Sequence, residues 1–209
     1  MIGPLLSSLA RKRIVLASSS PRRRNILESV GLVFQVMPST FSENLDKSHF
    51  ATPHDYAREN ARLKAVEVSS RLKSDGITAD LVIGVDTIIV LDDSILEKPK
   101  SEDAAKLMLK QLSGRTHTVV SGVTLIAKTE STTTFTETTE VTFASLTDSL
   151  VDYYVETGEP MDKAGAYGIQ GIGGSFVTGI VGDYYNVVGL PLQHVCREIV
   201  NMWETGHLV

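Results

Sequence analysis

At 209 residues, with 42% hydrophobic and 22% charged side chains, the chain holds material for one well-cored domain or two small lobes. A net charge of −5 argues against a nucleic-acid backbone as partner, yet leaves open a small anion held in a local basic pocket. The single cysteine, Cys196, rules out an internal disulfide and suits a reducing, cytoplasmic setting; no apolar run reaches the ~18 residues of a membrane span, and no secretory h-region is legible.

The acid-free, serine-containing residues 1–13 read as a short N-terminal extension in preference to an organellar address, with 14–209 as one domain. Residues 14–17 are apolar and read as a short buried strand. Three serines then lead to Pro21, whose fixed φ and missing N–H suit the first position of a helix. Ser20 is the expected N-cap, and Ile26, Leu27 and Val30 recur at helical spacing until Gly31. Free N–H groups and the positive end of the macrodipole favour an anion at such a point. Arg22, Arg23 and Arg24 add positive charge where it opposes the dipole, a conflict that a bound anion relieves. An arginine triplet alone is an ordinary solvated helix face; strand end, serines, proline and arginines together favour phosphate.

Residues 33–37 alternate enough for a strand, and 38–50 read as a polar loop carrying Glu43 and Asp46. Thr52 as N-cap, Pro53 at the first position and Asp55 three residues after the cap open a longer helix. Its stripe of Ala57, Ala61, Ala65 and Val68 implies close approach to a neighbour, with Glu59, Asn60 and Lys64 on or beside the same groove. The run LVIGVDTIIVL, residues 81–91, reads as a central strand buried on both faces. An aspartate inside it, Asp86, must be paired, bound to a cation, or exposed where the strand breaks, and Gly84 offers such a break. Ser101 caps a helix through residue 112, and 119–127 with 134–143 form a hairpin. A helix over 147–157, a glycine-crowded stretch and a C-terminal helix over 191–203 follow. Strand and helix alternate throughout without repeat or linker, the pattern of an α/β unit whose two lobes share a mixed sheet.

The glycines between 158 and 189 have two readings. Tight turns explain Gly179 and Gly182, whereas Gly165, Gly168, Gly171, Gly173 and Gly174 allow backbone to approach a ligand. Neither a Walker loop nor a dinucleotide fingerprint is present. Glu43, Asp86 and Asp162 are candidates to hold a hard divalent cation, and Lys64, Lys98, Lys163 and the arginines after Pro21 to neutralise phosphate oxygens. Charged residues are mostly solvated surface, but Asp86 lies in an apolar strand and Lys98 is fixed before Pro99. No histidine-based triad is legible, and Cys196 reads as a small core residue.

The pieces LASSSPRRR, ENARLKA, GVDT, LEKP, LSGRTH, GEPMDKAGAYGIQGIGG and NVVGLP, in that order, resemble the Maf family of nucleoside triphosphate pyrophosphatases, including the Maf-like segments of eukaryotic acetylserotonin methyltransferase-like proteins. The resemblance implies an elongated α/β fold with a mixed sheet and two lobes around a central cleft, as in inosine triphosphate pyrophosphatases. It implies hydrolysis of the α–β phosphoanhydride to a monophosphate and pyrophosphate with Mg2+ or Mn2+, by a homodimer. Asp86 matches the family's proton acceptor; Ser18, Arg22 and Arg23 match its phosphate-binding loop; Glu43, Lys64 and Lys98 match polar active-site positions. Arg22, Thr87 and Gln170 match positions tied to substrate choice, here similar to members acting on dTTP and UTP. An amide such as Gln170 offers one donor and one acceptor to a uracil or thymine edge, and flipped it suits cytosine, so its surroundings must fix its orientation. Whether Asp86 takes the water's proton or ligates the metal stays open at this level. The rival readings are a pyrophosphatase for 7-methyl-GTP or other modified nucleotides, and a nucleotide-binding regulator of cell division without turnover.

Overall fold

Residues 1–208 are described in a computed structural model. In chain order the elements are α1 (Leu6–Leu9), β1 (Ile14–Leu16), α2 (Pro21–Ser29), β2 (Gln35–Val36), α3 (Pro53–Ser74), β3 (Leu81–Leu91), β4 (Ser94–Leu96), α4 (Glu102–Leu112), β5 (Thr116–Ala127), β6 (Thr132–Phe143), α5 (Asp148–Glu156), β7 (Val177–Val181), α6 (Tyr184–Val188) and α7 (Leu192–Glu204). The strands follow one hydrogen-bonded order, β2-β1-β3-β5-β6-β7, with β4 beside β3. Parallel and antiparallel pairs both occur, so the sheet is mixed and the chain is α/β as its alternating pattern requires. It divides into two compact units: Met1–Asp86, Ser121–Glu137 and Gly189–Val209 form one, Thr87–Val120 and Val188 back to Thr138 the other.

In the first unit β1 is buried along its whole length and runs parallel to both β2 and β3. The Ser20 hydroxyl accepts from the Arg23 N–H and starts α2; the Thr52 hydroxyl accepts from the Asp55 N–H and starts α3. Helix α3 lies against the sheet through Ala57, Ala61 and Ala65, all fully buried. The neighbours implied by those small side chains are two glycines. A Cβ on Gly84 of β3 would stand 2.3 Å from the Ala61 carbonyl oxygen, and one on Gly122 of β5 would stand 2.3 Å from that of Ala57. Gly84 therefore does not interrupt its strand, as the sequence led us to expect; β3 is continuous, and the glycine makes room for helix backbone. The N-terminal residues are packed too, with Leu9 fully buried.

In the second unit β4 returns antiparallel on β3, pairing Ile89 with Leu96. The sequence reading passed over β4 because it is three residues long, and the turn before it places Asp92 and Asp93 at positive φ. Thr147 caps α5, and β7 pairs antiparallel with β6. Leu109, Val119, Phe143, Tyr154, Tyr167 and Phe176 share one buried cluster. His117 is 2% exposed among these rings, 5.0 Å from the Phe143 ring centre, with Nε2 2.8 Å from the Tyr167 hydroxyl. Burial pushes its pKa down to about 4, so the ring is neutral at physiological pH.

Candidate active site

The end of β1 and the start of α2 build a basic corner. Ser18, 7% exposed, accepts hydrogen bonds at Oγ from the Ser20 N–H at 3.3 Å and from Arg23 Nη1 at 3.0 Å. A hydroxyl that accepts twice still has its own hydrogen to donate, so Ser18 can present an O–H to an anion. Arg23 Nε donates to the Gly189 carbonyl oxygen at 2.8 Å, which holds the guanidinium by two edges. Protein packed around that guanidinium lowers its pKa from the usual arginine value; Asp86 and Glu43 act in the opposite sense, and Arg22 adds to the fall. The cation is thus held short of water beside two carboxylates and a second arginine.

Those carboxylates converge on Lys64 of α3. Its Nζ lies 2.7 Å from Asp86 Oδ1 and 2.9 Å from Glu43 Oε2. The Lys64 and Asp86 side chains are each 9% exposed and that of Glu43 is 49% exposed, so a buried ion pair carries one solvent-facing arm. This answers the question raised by an aspartate within an apolar strand: its charge is paired. Lys64 engages Asp86 through Oδ1.

The loop that brings Glu43 to this point is fastened by a residue that sequence reasoning missed. Glu67, one turn beyond Lys64 on α3, accepts from the Ser39 hydroxyl at 2.9 Å and from the Thr40 N–H and hydroxyl at 3.0 Å each. Arg71 donates to Glu67 from Nε at 2.9 Å and to the Pro38 carbonyl oxygen from Nη2 at 2.8 Å. Burial works to raise the Glu67 pKa, but the hydrogen bonds from Thr40, Arg71 and Ser39 outweigh it and hold the carboxyl below its usual value. The i, i+3, i+7 spacing of Lys64, Glu67 and Arg71 on one helix was the available signal.

The remaining candidates lie in the second unit, which begins within β3 at Thr87, the neighbour of Asp86. Lys98, exposed after β4, precedes the buried Pro99. Lys163 Nζ donates to the Glu159 carbonyl oxygen and to Asp162 Oδ1, both at 2.6 Å, so its ammonium braces a turn. Gln170 is exposed near the tip of the glycine-rich loop. The glycines of this loop approach other parts of the protein. A Cβ would meet Ile89 at 2.8 Å from Gly165, Lys163 at 2.6 Å from Gly168, Glu159 at 2.4 Å from Gly171, the Tyr154 hydroxyl at 2.6 Å from Gly173 and the Ile169 carbonyl at 2.2 Å from Gly174. Gly182, at φ 122°, does serve a turn, whereas Gly179 sits within β7.

No group of three or more His, Cys, Asp or Glu side chains placed to hold a metal occurs among the described residues. The donor chemistry nonetheless fits Mg2+ or Mn2+ brought in with a phosphate. Such ions take one or two carboxylates and complete their shell with phosphate oxygens and water, and Glu43 and Asp86 are two carboxylates gathered at one point.

Fold and site define an α/β protein with a serine- and arginine-lined helix N-terminus beside a buried lysine–aspartate pair. The family model described as Maf-like protein matches residues 13–202, and the chain belongs to that family. It is 47% identical over 188 residues to a dTTP/UTP pyrophosphatase of Bacillus cereus, covering 90% of this chain and 94% of that one. A dTTP/UTP pyrophosphatase of Clostridium perfringens is 46% identical over 190 residues, 90% of this chain and 96% of that one. Against a probable bifunctional dTTP/UTP pyrophosphatase/methyltransferase protein of Homo sapiens the identity is 48% over 208 residues; 96% of this chain matches there and spans 34% of that protein. Among solved structures, a HAM1 protein from Coxiella burnetii aligns with TM-score 0.47 at 14% identity, covering 91% of this chain and 99% of that one. No helix among the described residues is long and apolar enough to cross a membrane.

Proposed function

We propose that the chain hydrolyses dTTP and UTP to the monophosphate and pyrophosphate. The observation that carries this is the Lys64–Asp86 pair, 2.7 Å apart and nearly buried, in the same unit as a serine–arginine corner suited to phosphate. The relatives named as dTTP/UTP pyrophosphatases, alike over nine-tenths of this chain, support the same reaction.

Hydrolysis of a phosphoanhydride needs the substrate's negative charge neutralised, a water placed in line, and a route for that water's proton. Ser18, Arg22 and Arg23 bind phosphate oxygens at the α2 N-terminus, where the positive end of the helix macrodipole adds to the field. Asp86 accepts the proton at Oδ2 as the water oxygen bonds to phosphorus, the α–β bridging P–O bond breaks and its electron pair leaves with pyrophosphate. Lys64 holds Asp86 in place through Oδ1 and answers the charge of Glu43. Glu43 and Asp86 would hold the divalent cation, which supplies charge neutralisation to the phosphates when bound. Lys98 and Lys163 are assigned to phosphate, and Thr87 and Gln170 to the base. The same proposal includes work in the cytoplasm, in keeping with a lone cysteine, and a homodimer drawn from the family resemblance.

The test is pyrophosphate release from a panel of common and modified nucleoside triphosphates, with Mg2+ or Mn2+ and a chelator control. Release from dTTP and UTP that the chelator abolishes supports reaction and cofactor together. Binding of nucleotide without release from any member of the panel overturns the reaction.

A further inference from the structure

We propose that Glu159 is the positioning residue for base selection: its carboxylate fixes the loop that carries Gln170, and so fixes the direction in which that amide faces a pyrimidine. The inference rests on the functional reading above.

The loop is tied at both ends to one pair of side chains. At its entry, the Gly168 N–H donates to the Tyr154 hydroxyl at 3.1 Å. At its exit, the Ile172 N–H donates to Glu159 Oε2 at 3.0 Å and the Gly173 N–H to Glu159 Oε1 at 3.3 Å. The Tyr154 hydroxyl in turn donates to Glu159 Oε1 at 2.9 Å, closing the circuit. Burial is the largest influence on the phenol and raises its pKa, so Tyr154 keeps the proton it donates. Lys163 secures the base of the circuit through the Glu159 carbonyl oxygen at 2.6 Å.

Backbone therefore wraps a carboxylate of the same chain, and the wrapping requires glycine. A Cβ on Gly171 would lie within 2.5 Å of the Glu159 carboxyl carbon and both its oxygens. Gln170 lies between the tied ends, with its side chain exposed. A glutamine amide can turn either edge to a base, one edge suiting uracil or thymine and the other cytosine. Selection requires a backbone that does not turn with it, and the Glu159 circuit supplies that constraint.

The experiment compares pyrophosphate release from UTP and CTP, and equilibrium binding of UMP and CMP, for the wild type, Glu159→Ala, Glu159→Gln and Tyr154→Phe. Wild type is expected to prefer uracil in both measurements. Glu159→Ala should cut the UTP-to-CTP ratio of kcat/KM by about tenfold, the loss of ~1.4 kcal/mol of discrimination, while kcat on saturating UTP changes by less than about threefold. Glu159→Gln keeps one oxygen for the Ile172 N–H and should restore part of the ratio, a rescue that a purely structural defect would not show. Tyr154→Phe removes the Gly168 tie and the hydroxyl's own bond to Glu159 while leaving the carboxylate bound to the Ile172 and Gly173 N–H groups, and it carries the test if Glu159→Ala does not fold. An unchanged ratio in folded variants overturns the assignment, as does a fall in kcat with the ratio preserved. If wild type releases no pyrophosphate the reaction fails as a reading, and the UMP-to-CMP binding ratio still decides for or against Glu159. Equal binding of both by wild type overturns it.

Discussion

Replacing Gly84 by alanine tests how the site is assembled, because the added methyl meets helix backbone and nothing that can rotate away. Its carbon would stand 2.3 Å from the Ala61 carbonyl oxygen, 2.7 Å from Ala65 Cβ and 2.8 Å from the Ala65 N. An ordinary carbon–oxygen contact is more than 3 Å, so α3 has to retreat from β3 by about 1 Å, and overpacking of this kind costs about 1–3 kcal/mol. Lys64 lies between Ala61 and Ala65, and its bond to Asp86 is 2.7 Å. A retreat of ~1 Å at that place is enough to lower a reaction rate by about 10²-fold. Urea unfolding followed by circular dichroism reads the first effect: with a slope of ~2 kcal/mol per molar urea, the midpoint falls by about 0.5–1.5 M. Pyrophosphate release from UTP reads the second. Gly179→Ala is the control, since nothing lies within 4 Å of its Cβ position, and its stability should stay within about 0.5 kcal/mol of wild type. If Gly84→Ala keeps the midpoint and rate of wild type, the close seating of α3 does not set the Lys64–Asp86 geometry.

Asp86→Asn should abolish turnover in a chain that still folds, as followed by pyrophosphate release and far-UV circular dichroism; turnover near the wild-type rate removes Asp86 from the mechanism. Glu67→Gln should loosen residues 38–43 and raise KM for UTP by about tenfold or less with a smaller change in kcat, and an unchanged KM would detach this brace from Glu43. Acid should weaken the fold through His117: its folded pKa of about 4 lies below the ordinary histidine value of 6.5, so between those values only the unfolded chain takes the proton. Stability contributed by keeping that ring neutral is present above pH ~6.5 and lost as pH falls toward ~4, by at most about 3 kcal/mol. His117→Phe should flatten this slope in pH-dependent urea titrations, and an identical slope would place the acid sensitivity elsewhere. Mg2+ titrated by calorimetry should bind more tightly when a non-hydrolysable UTP analogue is present than to the chain alone; equal affinities would contradict an ion completed by phosphate oxygens.

What could be read from the sequence was whatever a local rule determines. Caps at Ser20, Thr52 and Ser101 announce their helices because each side chain bonds an N–H only three residues away. The alanine stripe of α3 announced a close neighbour but not its identity, since Gly84 and Gly122 stand on two different strands. Lys64 and Asp86 were legible singly and their pairing was not, because 22 residues separate them and only the seating of α3 on β3 brings them together. The glycines from 165 to 174 left the most unread. A glycine signals close approach without saying what approaches, and here it is the protein's own Glu159, Lys163, Tyr154, Ile89 and Ile169. Glu67 and Glu159 escaped notice for a shared reason. Each is a surface-type residue by composition, made a brace by backbone N–H groups that no side-chain pattern displays.

Charge around Asp86 explains why a cation should accompany the substrate. In the chain alone, Arg23 and Lys64 lie beside Glu43 and Asp86 and Arg22 lies near Arg23, so the positive groups exceed the negative by one. That near balance lets the Lys64–Asp86 pair stay buried, since an ion taken from water without a partner costs several kcal/mol. The same balance limits what the corner can do for a triphosphate, which brings several negative charges where the protein offers one in surplus. If Arg22 and Arg23 turn toward phosphate, Asp86 and Glu43 lose part of their positive surroundings and regain it only from a cation that enters with the nucleotide. Lys98 and Lys163 do not remove this need: Lys98 is exposed, where an ammonium is well hydrated, and Lys163 already donates to Glu159 and Asp162. On the proposed reaction, a carboxylate pair gathered on one lysine is thus stable when empty and short of positive charge when loaded, and a divalent ion carried by the phosphates would correct the shortfall only when there is substrate to act on.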